Sequence, residues 1–203
     1  MPRPRSEDRR LAILSAATRV IASQGIGAAS TAVIAKEAAV SNGSLFVYFD
    51  TKARLLNELF VALKTEMAEA AMAGLPPQSG PREQVRHMWT HWARWATGNP
   101  AKRRALAQLQ VADDITAESH QQVGLASVAI AELLERARVG GPMEEVPLGF
   151  ALILANALAE AAIDEMIRDP ERAQANADTA FEALWRVLAG TAPSSDAASP
   201  TDA

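Results

Sequence analysis

Cysteine is absent from the 203 residues, which excludes disulfides, thiolate zinc sites and a cysteine nucleophile and fits a reducing compartment. Long uninterrupted apolar runs are missing too. The arginine-bearing N-terminus is followed by residues 11–21, where Ser15, Thr18 and Arg19 break the hydrophobicity that a signal peptide requires. The most apolar stretch, 146–163, contains Asn156 and Glu160 and reads as a buried helix rather than a membrane span. Alternating β-branched residues are scarce while alanine is abundant, so no strand is expected. These absences point to a soluble, cytoplasmic, all-α protein with no membrane partner and no cofactor. Its 49% hydrophobic content suffices for a core in one or two domains.

A net charge of −4 looks unsuited to nucleic acid until it is divided along the chain. Residues 1–57 carry 8 Lys+Arg against 4 Asp+Glu, whereas the remainder carries 12 against 20. Basic charge is gathered at the end that would meet phosphate. Arg3, Arg5, Arg9 and Arg10 form an arm able to enter a minor groove or touch the backbone, or to remain a solvated extension.

Helical periodicity starts near Asp8 and runs to Gln24, with Ile13, Ala16, Ala17, Val20 and Ile21 on one stripe and Gly25 as its terminator. Ser30 is placed to cap a short helix that buries Ile34, Ala35 and Ala38, and Ser41 to cap another from Asn42 to about Phe49. A longer helix begins at Asp50 or Thr51. The breaker-rich segment 74–81 then marks a loop. Further helices are expected over 82–98, 101–111, 117–139, 146–168 and 171–189, about nine in all, with residues 190–203 a disordered tail.

Residues 30–49 carry the most information, because two short helices separated by a few residues can present the second to a DNA major groove. Ser41, Asn42, Gly43 and Ser44 open that second helix with free N–H groups and small polar side chains suited to phosphate and base edges. Leu45 and Phe49 are spaced to face the core, and Tyr48 can offer its hydroxyl to a phosphate. Lys52 puts a cation in the first turn of a helix, where it opposes the macrodipole. A bound phosphate would reverse that penalty.

The run from Ile34 to Phe49, followed by Thr51, Lys52, Leu55 and Leu56 and preceded by Ile13, Leu14, Ala16, Ala17 and Gly25, resembles the DNA-binding domain of the TetR family. The detailed match covers about residues 8–60. The resemblance implies that Ser30, Thr31, Ser41, Asn42, Gly43, Ser44, Tyr48 and Lys52 lie at or near double-stranded operator DNA. It also implies a homodimer, a helix-turn-helix domain over 1–56 and a helical effector-binding and dimerisation domain over 57–189. The implied function is a transcriptional regulator, a repressor released from a palindromic operator by a small molecule. This chain departs from the pattern at Ala39, where glycine is usual in the turn, at Phe46, where tyrosine is frequent, at Val47, where a polar or histidine contact is frequent, and at Ala32, where a basic residue is common.

Three of the four tryptophans fall within residues 89–95. Met88, Trp92 and Trp95 share a helical face that suits either ordinary core packing or, with Phe150, an aromatic-walled pocket for a hydrophobic or planar effector. Glu83, His87 and His91 recur at i, i+4 and i+8, a spacing open to metal or proton sensing but equally to a solvated polar face. The helices at 146–168 and 171–189 are apolar enough to serve both their own domain and a two-fold partner. Asn156, Glu160 and Asp164 form one polar line on the first of these helices. No nucleophile–base pairing or phosphate loop accompanies the acidic and histidine residues, which argues against an enzyme.

Overall fold

Helix α1 runs from Pro4 to Gln24 in the computed structural model, which describes residues 4–190 and side chains from residue 6. Arg3, the Arg5 side chain and the tail from residue 191 lie outside the described residues. The helix starts earlier than the expected Asp8; proline suits a first turn because its fixed φ is already helical and its missing N–H would have no partner there. Its stripe of Ile13, Leu14, Ala16, Ala17, Val20 and Ile21 is buried. Gly25 ends it at φ +86°, donating its N–H to the Ile21 carbonyl at 2.9 Å.

Three helices follow in quick succession, α2 (Thr31–Glu37), α3 (Asn42–Tyr48) and the long α4 (Lys52–Met72). After the loop come α5 (Pro81–Gly98), α6 (Pro100–Leu109), α7 (Ala117–Ala126), α8 (Val128–Arg138), α9 (Leu148–Arg168), a 3-10 turn (Pro170–Arg172) and α10 (Ala173–Ala189). Every element among the described residues is helical. The expected single helix over 117–139 is two helices. The Ser127 N–H is shared between the Val123 and Gly124 carbonyls at 3.0 and 3.1 Å, which closes α7 before α8 begins. No helix among the described residues is long and apolar enough to cross a membrane.

The chain divides into two compact units, Met1–Ala73 with Arg94–Val128, and Gly74–Ala93 with the residues from Ala129 on. In the first, α1 packs against α2, α4 and α6, and α4 against α6 and α7. Leu55, Leu56, Leu59, Phe60, Ala105, Leu106 and Leu109 meet in its core. In the second, α9 packs against α10, and the beginning of α5 is tied to α10 by polar contacts. Arg82 Nη2 donates to both Glu182 oxygens at 2.8 Å, Arg86 lies 4.0 Å from the Phe181 ring centroid, and Trp89 Nε1 donates to the Ala177 carbonyl at 3.2 Å.

The loop between α8 and α9 is anchored by the buried Arg138, which donates to the Met143 and Val146 carbonyls and pairs with Glu135 at 2.8 Å. The hydrogen bond to Arg138 holds the Glu135 carboxyl below its ordinary pKa. Gly141 touches the end of α10 so closely that a Cβ there would meet the Leu188 carbonyl oxygen and come within 2.6 Å of the Ala189 Cα.

Candidate nucleic-acid interface

Three hydroxyl caps fix the segment 30–54. Ser30 Oγ accepts from the Val33 N–H at 3.3 Å, Ser41 Oγ from the Ser44 N–H at 3.0 Å, and Thr51 Oγ1 from the Arg54 N–H at 3.0 Å. Each satisfies one of the free donors with which a helix begins. Their places follow from local spacing alone, which is why Ser30 and Ser41 are readable as caps in the sequence.

The turn from α2 to α3 is a Schellman closure. The Ala39 N–H donates to the Lys36 carbonyl at 3.1 Å and the Val40 N–H to the Ala35 carbonyl at 3.0 Å. Such a closure needs one left-handed residue, and Ala39 supplies it at φ +54°, the single non-glycine positive φ among the described residues. The departure from glycine noted in the sequence is therefore a strained position.

Behind the turn, Ile34, Leu45, Phe49, Leu55 and Leu56 are fully buried. They hold α3 from one side only. Its other side carries the exposed Ser41, Asn42, Gly43, Phe46 and Val47, flanked by the half-buried Ser44 and Tyr48. Ser30 is exposed and Thr31 half-buried at the start of α2. Lys36 is the only cation in residues 30–49, so hydroxyls and helix N–H groups provide most of the polar surface. On α4, Arg54 hydrogen-bonds Glu58 at 2.9 Å, which raises its pKa, and the Asp50 carboxylate adds to the effect.

Lys52 has a structural partner that the sequence did not show. Its Nζ donates to the Ile26 carbonyl at 2.9 Å. That bond compensates for its unfavourable place in the first turn of α4. The same loop is held by Gln108 of α6, whose Nε2 donates to the Ile21 carbonyl at 3.0 Å while its Oε1 accepts from the Ile26 N–H at 3.2 Å. Sequence reasoning missed Gln108, because a glutamine in an amphipathic helix gives no sign of a partner more than 80 residues away.

The four candidate effector residues are dispersed in their surroundings. Met88 is buried and Trp92 half-buried in the second unit. Trp95 is buried in the first unit, with Nε1 donating to Glu66 Oε1 at 2.9 Å. Phe150 is 52% exposed on α9. Two concavities of about 410 and about 510 Å³ open in the first unit, one bordered by Arg10, Glu58, Glu66 and Glu69, the other by Leu11, Leu14, Leu59, Leu63 and Lys102. None of the four candidates lines either. His87 and His91 stack with ring centroids 4.0 Å apart.

Residues 13–59 match the model of bacterial regulatory proteins of the tetR family. An uncharacterised HTH-type transcriptional regulator of Bacillus subtilis, YhgD, is 34% identical over 80 residues, 39% of this chain; the match spans only 42% of that relative. Over nearly the whole length, the fold is similar to a tetR-family transcription regulator structure from Shewanella sp. PV-4, with TM-score 0.82 and 28% identity, covering 89% of this chain and 98% of that one. A second, from Marinobacter aquaeolei VT8, has TM-score 0.77 at 22% identity and covers 92% and 98%. A capped helix-turn-helix lies inside the matched segment, and along nearly the whole chain the all-helical fold is similar to that of TetR-family transcription regulators.

Proposed function

We propose that the protein is a homodimeric repressor that grips a near-palindromic operator through α3 and releases it on binding a small hydrophobic or aromatic effector. The observation that carries the reading is the outward side of α3, left exposed by a helix-turn-helix whose other side is fully packed. Ser30, Thr31, Ser41, Asn42, Gly43, Ser44 and Tyr48 form the DNA contact in this account. Lys52 joins this contact while bracing the loop before α2, because its ammonium has three N–H donors and only one is given to the Ile26 carbonyl. Residues 1–56 provide DNA binding, and 57–189 provide sensing and dimerisation in a cytoplasmic regulator.

Support for the dimer comes from α9, where Phe150, Ile153 and Ile167 are 52, 65 and 42% exposed on a helix that is otherwise strongly apolar. A two-fold partner would cover such a surface. The two α3 helices would then sit about one DNA turn apart, roughly 34–36 Å. An effector lowers operator affinity only by binding one conformation better than the other. Met88 and Trp92, with Trp89 packed edge-on to Trp92 at 6.1 Å between centroids, provide the aromatic surface for it in the second unit.

The test is selection of genomic fragments by the purified protein, repeated with Asn42→Ala and Lys52→Ala. Recovery of one near-palindromic site, weakened by both substitutions, supports the reading. A folded dimer that enriches no sequence refutes it.

A further inference from the structure

We propose that Val47 is a sequence-reading residue that packs against the C5-methyl group of a thymine in the major groove. The inference rests on the DNA-binding reading above and adds the base that α3 selects. Leu45 and Phe49 are fully buried and define the inward side of α3. Each residue advances a helix by about 100°. Val47, two residues beyond Leu45, therefore lies about 200° round, directed away from the core, and Gly43 lies one turn earlier on the same line. Val47 exposes 81% of its surface.

A Cβ built on Gly43 would meet nothing within 4 Å, so this line has open space beside it and carries a single side chain, the Val47 isopropyl group. Phe46, 43% exposed, and beyond it Asn42 stand on one flank, and Ser44 and Tyr48 on the other. The helix contains no arginine, lysine or glutamine. It therefore lacks the side chains that most often make paired hydrogen bonds to guanine, and its only amide for adenine is Asn42 in the first turn.

Among base edges in the major groove, the thymine methyl is the one apolar group; the rest are donors and acceptors. Valine can bond to none of those. Against guanine, adenine or cytosine it displaces water from polar groups without replacing the lost hydrogen bonds. Against thymine it buries carbon against carbon. The contacted position is thus T·A in preference to C·G, because cytosine presents an amino donor and no methyl.

The experiment uses the full-length protein and its selected operator, with each thymine of the half-site replaced in turn by deoxyuridine, symmetrically in both halves. Deoxyuridine keeps every hydrogen-bonding group and lacks only the methyl. At one position the wild type should lose about fourfold in affinity per half-site, the equivalent of one buried methyl group. Val47→Ala should bind the thymine and deoxyuridine forms equally, near the wild-type level on deoxyuridine, and melt at the wild-type temperature because the position is exposed. Wild-type binding indifferent to every deoxyuridine would overturn the proposal while leaving DNA binding intact. A Val47→Ala protein still sensitive at the same position would assign the methyl to another side chain and overturn it equally. Loss of binding to the unsubstituted operator by the wild type would instead sink the underlying DNA reading.

Discussion

Replacing Ala39 by glycine should stabilise the protein, although glycine in general weakens a folded chain. Ala39 sits at φ +54°, and its N–H and that of Val40 close the end of α2. An L-residue with a Cβ pays about 1–2 kcal/mol in that conformation. Glycine avoids the clash but enlarges the unfolded ensemble, which costs about 0.4–1 kcal/mol. Ala39 is exposed, so its methyl group contributes little packing. The difference leaves a net gain of roughly 0.5–1 kcal/mol, or about 1–4 °C in melting temperature for a chain of this size. Far-UV circular dichroism at matched protein concentration reads it, because association shifts the midpoint. Ala39→Val is the converse control, expected to melt lower than the wild type because a β-branched side chain fits a left-handed position worse still. A melting temperature for Ala39→Gly at or below the wild-type value would show that the turn does not hold residue 39 left-handed, and the reasoning would fail.

Lys52→Met removes the ammonium donor to Ile26 and should cost about 1 kcal/mol in denaturant unfolding. If the lysine also meets phosphate, the salt slope of operator binding falls by about 0.9 for each lost contact; an unchanged slope confines the residue to bracing. Gly141→Ala forces a methyl group onto the α10 backbone and should cost about 1–3 kcal/mol, seen as a lower melting temperature; a neutral result would mean that the 140–146 loop moves away freely. Glu135 has its pKa lowered by Arg138, so its stabilising contribution is present above the ordinary value of 4.5 and disappears as pH falls through the depressed one. The stability gap between wild type and Glu135→Gln should accordingly be open at pH 7 and closed in acid, and a gap independent of pH would refute the pairing.

Local chemistry made part of this legible in the sequence. The caps at Ser30 and Ser41, the α1 stripe and the inward Leu45 and Phe49 each depend on residues within about one or two helical turns, and all emerge as expected. The strain at Ala39 was visible because a turn that favours glycine contains an alanine. The break at Ser127 was not, since no proline marks it, the one nearby glycine, Gly124, lies inside α7, and the apolar pattern continues on both sides. Nor were the partners of Lys52, Gln108 and Trp95, which are set by chain segments 26 to 87 residues away. The last of these matters for the candidate effector wall. A tryptophan assigned by helical face to a pocket is engaged, in the folded chain, by a glutamate of α4.

The placing of the tryptophans also supplies an optical instrument. Trp95 belongs to the first unit, and Trp89, Trp92 and Trp185 belong to the second. Subtracting the emission of Trp95→Phe from that of the wild type isolates light from the first unit, while the remainder reports the other. If the two signals change at one temperature, the chain melts as a single thermodynamic body. If they separate, the first unit, which contains the helix-turn-helix, has a stability of its own and can unfold with heat while the second stays folded.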